Sequence, residues 1–219
     1  MPLAKQPWQR APAGPAGRAA AVIRLRFLES DEDIVAAVLG GDGAGGAALY
    51  DRHHAYVRRV LSRVLGPGSD LHDLTQDVFV AAIDSIHRLH EPSALRSWLA
   101  GISVHCARAE LRRRTRARWF PLFPISELPP AEAPVATPEV DEAVRATYLV
   151  LGKLASDERI PFALRFIEGM ELVELAAACQ ISLATAKRRL SRARKKFVTI
   201  ARTYPALSDW LAGADDEPR

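Results

Sequence analysis

Apolar side chains recur at spacings of three and four along most of this chain, and no stretch alternates strictly enough to specify a strand. Across DLHDLTQDVFVAAIDSIHRL, the residues Leu71, Leu74, Val78, Ala82, Ile86 and Leu89 fall on one helical face. Asp73, Gln76 and Asp77 then lie on a separate, polar face, and Ser69 or Asp70 stands where an N-cap belongs. Upstream, DEDIVAAVLGGDGAGGAALYDRHHAYVRRVLSRVLG predicts a short helix, a Gly-rich turn and a longer helix ending at Gly66-Pro67. Downstream, PSALRSWLAGISVHCARAELRRRTRARW predicts a helix with Leu95, Trp98, Leu99, Ile102, Cys106 and Ala109 inward. At helical spacing with Leu95, Leu99 and Ile102, Trp98 reads as core. The last turns of that helix change character. Arg108, Arg112, Arg113, Arg114, Arg116 and Arg118 make them basic around much of the circumference.

Beyond this helix the pattern breaks. Six of the 15 prolines fall between Pro121 and Pro138, and each removes a backbone donor and fixes φ, so no helix is expected from Pro121 to Val144. The same stretch has no Lys or Arg, while Glu127, Glu132, Glu139, Asp141 and Glu142 are all acidic. The fold class expected is therefore all-α, with two small helical domains joined by a Pro-rich acidic linker. The boundaries read as a basic N-terminal tail over 1–28, a first lobe over 29–120, the linker over 121–140, a second lobe over 141–203 and a C-terminal tail over 204–219.

The second lobe breaks into four helices. Ser156 is the expected N-cap of DERIPFALRFIEG, Gly169 closes that helix, and Pro161 is tolerated near its start. A short helix over ELVELAAA, a tight turn and a helix capped by Ser182 follow. In the last helix Leu183, Ala186, Leu190, Ala193 and Phe197 form an apolar seam, with Thr185, Lys187, Arg188, Arg189, Arg192 and Lys195 outward or flanking. From Ile181 to Phe197 there are seven Lys or Arg residues and no Asp or Glu. A short helix, a tight turn and a basic helix make a helix-turn-helix, whose second helix suits the major groove of DNA. Phosphate contacts there are blind to sequence, so specificity falls to the outward residues early in the helix.

Composition narrows the class. The net charge of +4 is modest, and its concentration in two basic runs matters more than its sum. Two well-separated cysteines, Cys106 and Cys179, suit a reducing compartment and not a disulfide framework. No apolar run approaches the roughly 20 residues of a spanning helix, so a cytoplasmic protein without a membrane partner is expected. All six histidines lie in the first lobe with no spacing of a closed zinc set, and no phosphate loop, nucleophile elbow or paired carboxylates are present. No catalytic residue, metal or cofactor is therefore expected, and the chain does not read as an enzyme.

The residues carry a family resemblance. LASDERIPFALRFIEGMELVELAAACQISLATAKRRLSRARKKF resembles region four of bacterial RNA polymerase sigma factors of the extracytoplasmic-function (ECF) group of the sigma-70 family. DLTQDVFVAAIDSI and WLAGISVHCARAELRRR resemble region two, and the GD followed by ALYDRHHAYVRRV fits its opening. Together these cover about 31–197, in the family's order. The resemblance implies that Asp73, Gln76 and Asp77 bind the clamp coiled coil in the largest subunit of core RNA polymerase. It implies that Arg96, with the loop from His90, and Arg108, Arg112, Arg113 and Arg116 act at the minus-ten element of promoter DNA, where a base must leave its stack. Ser182, Thr185, Lys187, Arg188, Arg189, Arg192 and Lys195 then serve the minus-thirty-five element. An anti-sigma factor is a further partner that the family commonly has.

This chain departs from the family where an Arg-Asn pair and a later Asp are expected, holding Val104, His105 and Ala109 instead, and where the turn usually has Gly it has Gln180. A stand-alone helix-turn-helix regulator is the alternative. It accounts for the second lobe and leaves DLTQDVF without a purpose.

Overall fold

The computed structural model describes residues 28, 30–66, 71–119 and 138–212, and every regular element among them is helical. The Ser69 or Asp70 cap, residues 1–27 and most of the linker fall outside the described residues.

Helix α1 (Asp31–Leu39) opens on a capping box, in which Ser30 Oγ accepts from the Asp33 N–H and the Asp33 carboxylate accepts from the Ser30 N–H. Helix α2 (Gly43–Leu65) starts within the Gly-rich stretch, capped by Asp42, and leaves only a short turn before it. Close approach of the two helices requires glycine at position 45. A Cβ on Gly45 would stand 2.6 Å from the Val38 nitrogen and 2.8 Å from the Ala37 carbonyl carbon. Helix α3 (Leu71–Ser85) continues in a 3-10 turn (Ile86–Arg88) and buries Thr75, Val78, Phe79, Ala82 and Ile86. A second 3-10 turn (Pro92–Ala94) leads into α4 (Leu95–Trp119). Helices α1, α3 and α4 all pack against α2.

The second lobe begins with α5 (Pro138–Leu151), inside the stretch expected to be helix-free. Proline is tolerated there because the first helical position needs no backbone donor. Helix α6 (Ser156–Phe162) takes Ser156 as its first helical residue; the capping position belongs to Ala155, which makes no side-chain bond. A π-helical turn (Ala163–Ile167) follows the buried Pro161 and gives way at Gly169, where φ is +81°. Helix α7 (Leu172–Cys179) ends at Gln180, and α8 (Leu183–Ala201) follows. A 3-10 turn (Pro205–Leu207) and a short α9 (Ser208–Ala212) complete the described chain. Leu207 is buried against Val150 and Ala201, so the beginning of the expected C-terminal tail is built into the lobe.

The two lobes share a single core. Leu49, Leu61, Leu95 and Leu99 of the first lobe belong to the same buried cluster as Ile160, Leu164, Leu175 and Ala186 of the second. Helix α4 lies along α7, close enough that a Cβ on Gly101 would stand 3.8 Å from the Ala178 carbonyl oxygen. Two residues read as inward point elsewhere. Ala109 is exposed while Ala107 and Leu111 are buried, and Leu183 is 45% exposed at the open end of the α8 seam.

Candidate nucleic-acid and partner interfaces

The buried stripe of α3 turns its other face to solvent, and Asp73, Gln76 and Asp77 are all exposed there. Gln76 Nε2 lies 3.1 Å from His72 Nε2, one turn earlier on the same face. Val80 and Ile83 extend this surface with 60% and 41% of their area open, so the face offers carboxylates beside an apolar patch.

The basic set on α4 divides by environment. Arg112 and Arg116 are exposed. Arg113 and Arg114 both bind the buried Glu110, at 2.6 and 2.7 Å for their Nε donors. Burial pushes the Glu110 carboxyl up, but hydrogen bonds and charge from the two guanidinium groups outweigh it and hold the group below the ordinary carboxylate range. Arg96 lies with its guanidinium carbon 4.3 Å from the centre of the Tyr56 ring. Burial raises the Tyr56 hydroxyl, with Arg96 opposing it. The cleft around this pair is lined by Ser93, Ser97 and Ala100 of the first lobe and by Met170 and Glu174 of the second. Arg108 also faces the second lobe, with Nε 4.0 Å from Asp157 Oδ1 and no hydrogen-bond acceptor within reach. The half-buried Trp98 packs against the core, as its spacing predicts.

The helix-turn-helix is formed by α7 and α8. Gln180 takes the left-handed conformation, φ 55° and ψ 47°, that Gly usually supplies at such a turn. Ser182 caps α8 by accepting from the Thr185 N–H at 3.2 Å, and its hydroxyl donates to Thr185 Oγ1. Ala186 and Ala193 are fully buried, leaving Lys187, Arg188, Arg192 and Lys195 exposed on the other side. Arg189 instead donates to Asp157 at 3.0 Å, and Lys196 binds both oxygens of the buried Glu158 at 2.8 Å. Acidic residues at the start of α6 thus orient the flank of α8.

Sequence reasoning missed the residues that join the lobes. The C-terminus of α2 has carbonyls with no partner in its own helix. Arg159, only 8% exposed, donates through Nε to the Val64 carbonyl at 2.9 Å and through a terminal nitrogen to the Leu65 carbonyl at 3.0 Å. Burial, with Arg114 nearby, lowers this guanidinium to about 10, so it remains charged at neutral pH and favours the negative end of the helix. The Tyr148 hydroxyl donates to the Ser62 carbonyl at 3.3 Å, and the Tyr148 ring covers Gly66, where a Cβ would come within 2.8 Å. Arg59 binds Glu168 at 2.8 Å across the same junction, with Arg63 at 3.9 Å.

Among the described residues no group of His, Cys, Asp and Glu could hold a metal ion, and no helix is long and apolar enough to cross a membrane. His53 is buried beside Asp31, and both cysteines are free thiols.

Comparison with known proteins gives this arrangement a family. Sigma-70 region 2 matches residues 49–117, and sigma-70 region 4 matches residues 145–197. The ECF RNA polymerase sigma factor SigE of Mycolicibacterium smegmatis is 30% identical over 176 residues, 76% of this chain and 67% of that protein. This chain belongs to the ECF sigma factors. SigM of Mycobacterium tuberculosis is 26% identical over 175 residues, covering 80% of this sigma factor and 86% of that protein. Among solved structures, CnrH in complex with the cytosolic domain of CnrY matches with a TM-score of 0.54 and 25% identity, over 79% of this chain and 97% of CnrH. The first lobe is thus region two and the second is region four. With both regions in one chain, the protein is a promoter-specific initiation factor that works with RNA polymerase.

Proposed function

We propose that this sigma factor docks on core polymerase through Asp73, Gln76 and Asp77 on α3, with the clamp coiled coil of the largest subunit as the basic partner. Arg96, Arg108, Arg112, Arg113 and Arg116 on α4 then serve the minus-ten element, and the exposed edge of α8 serves the minus-thirty-five element. Ser182 and Thr185 set the start of that helix, and Lys187, Arg188, Arg189, Arg192 and Lys195 supply its DNA-facing charge. The carrying observation is the separation of charge: two exposed carboxylates stand together on α3, while the open faces of α4 and α8 are basic. A single chain so divided suits one basic protein partner and one nucleic acid. Binding through α3 raises the effective concentration of both DNA contacts, which are weak when separate.

The protein adds no catalytic chemistry of its own and acts in the cytoplasm, where polymerase meets the genome. CnrH is seen with the cytosolic domain of CnrY, and by analogy a protein of the anti-sigma kind is a partner of this chain. Transcription by purified core polymerase on a pool of promoter DNA, with transcript starts sequenced, tests the reading. New starts sharing two spaced upstream motifs are expected. Asp77→Lys should abolish them and core binding together, while Arg188→Ala should keep core binding and weaken start selection. Core binding unchanged by Asp77→Lys would move the docking face elsewhere.

A further inference from the structure

The closed arrangement of the two lobes cannot be the one that reads a promoter, given the functional reading above. The minus-ten and minus-thirty-five elements lie more than two turns of duplex apart, and each turn is about 34–36 Å long. The longest element here, α4 with 25 residues, is only about 38 Å long. Two modules that share one core within such dimensions cannot touch both elements at once.

We propose that this is a self-latched resting state, in which region four closes region two without any partner and Arg159 is the latch. Three observations carry it. The first is the cap in trans: Arg159 of the other lobe donates to the Val64 and Leu65 carbonyls at the end of α2. The first lobe's own Arg114 reaches the Leu65 carbonyl only at 3.4 Å, and Tyr148 adds a bond to the Ser62 carbonyl, which also accepts from the Gly66 N–H. The second is a complementary ion pair at the rim, Arg59 and Arg63 against Glu168, whose side chain is 7% exposed. The third is what closure covers. Arg108 faces Asp157 of region four with its Nε buried and lacking an acceptor, and the cleft beside Arg96, which stays exposed over Tyr56 of its own lobe, is walled by Met170 and Glu174. Of the side chains assigned to the minus-ten element, Arg108 is thus turned toward region four, while Arg96, Arg112, Arg113 and Arg116 of α4 and Lys187, Arg188 and Lys195 of α8 remain open. Closure therefore leaves most of both basic faces open, engages one arginine of each through Asp157, and holds the two regions too close together to reach both elements. Polymerase, by binding the lobes separately, selects the open state, and its apparent affinity is reduced by the fraction of chain that is closed.

The test joins a shape measurement to a titration. Small-angle scattering of the full chain should show a compact particle. Arg159→Met, which keeps most of the side-chain bulk and removes the donors, and Glu168→Arg, which sets like charges across the rim, should both expand it. In transcription assays the same variants should reach half-maximal output at core concentrations about threefold or more below wild type. Where Arg159→Met loses helical circular dichroism, Glu168→Arg decides, and adding Arg59→Glu to it should restore both compactness and wild-type titration. An expanded wild-type particle, or compact variants with unchanged titration, overturns the latch. Failure of wild type to start transcription at any promoter would instead overturn the assignment of function, and the scattering comparison alone would then decide whether the lobes are latched.

Discussion

Asp157 faces Arg108 and Arg189 at once, with Oδ1 4.0 Å from Arg108 Nε and Oδ2 accepting from Arg189 at 3.0 Å. One arginine belongs to α4 and the other to α8, so a single carboxylate occupies the place that phosphate oxygens are proposed to take in both regions. It is a half-exposed group in a weak network, so its loss is tolerable for the fold.

Asp157→Asn should therefore tighten binding of duplex carrying the minus-thirty-five element, by about two- to fivefold at low salt, with a steeper salt dependence. Its unfolding free energy should change by less than about 0.5 kcal/mol. Fluorescence anisotropy over a salt series, with urea unfolding alongside, checks both. Unchanged affinity would mean that Arg189 makes no contact with DNA.

Glu110 gives a prediction about acid. Its folded pKa lies below the ordinary value, so its stabilising contribution is full above the unfolded pKa of about 4.3 and is lost as pH falls through the folded value. Arg113 stands largely in solvent, which holds the net contribution to the order of 1 kcal/mol. The stability gap between wild type and Glu110→Gln should stay constant from pH 7 to about 5 and narrow below that. Urea unfolding at each pH measures it.

Gln180 sits at positive φ without being glycine. A left-handed residue with a Cβ is strained by roughly 1–2 kcal/mol, part of which glycine returns as unfolded-state entropy. Gln180→Gly should stabilise the protein by about 0.5–1 kcal/mol, seen as a rise in Tm, with promoter selection unchanged. A fall in Tm would show that the Gln180 side chain contributes something its exposed position does not reveal.

Gly45→Ala should act in the opposite direction. The new methyl group meets backbone atoms of α1 that cannot rotate away, so α1 must shift from α2 at a cost of about 2 kcal/mol. Chemical denaturation would register the loss. The same substitution at Gly43, where a Cβ meets nothing within 4 Å, should be nearly neutral.

Much of this molecule was legible as a line of letters, because a helix writes its buried face at fixed spacing. Val78, Ala82, Ile86, Ala186 and Ala193 are buried where periodicity places them, and Ser182 caps α8 as its position predicts. What periodicity cannot express is a second partner for the same helix. Arg159 reads as one more charge in a first turn, yet it is spent on carbonyls almost a hundred residues away. Proline misled at Pro138 for a related reason, since it disrupts a helix only where its missing donor is needed, whereas Pro161 lies within its helix as its early position allows. The glycines near residue 43 look like a loop in sequence, yet they open α2 behind the Asp42 cap, and at Gly45 the backbone of α1 passes too close for a side chain.

A joint that opens must tolerate water on both of its faces. Had the end of α2 been covered by leucine or phenylalanine instead of Arg159, parting the lobes would bare a still larger oily patch, inviting self-association before polymerase was found. A guanidinium regains its hydration once released, and so do the carbonyls it leaves. Along α4 and α7 the contact is made partly by small residues, among them Ala100, Gly101 and Ala178, but Ile160, Leu164 and Leu175 share their core with Leu95 and Leu99, so opening uncovers apolar surface as well. The open form thus carries a cost in bared apolar area that the closed form avoids, and a partner that receives the parted lobes must cover it.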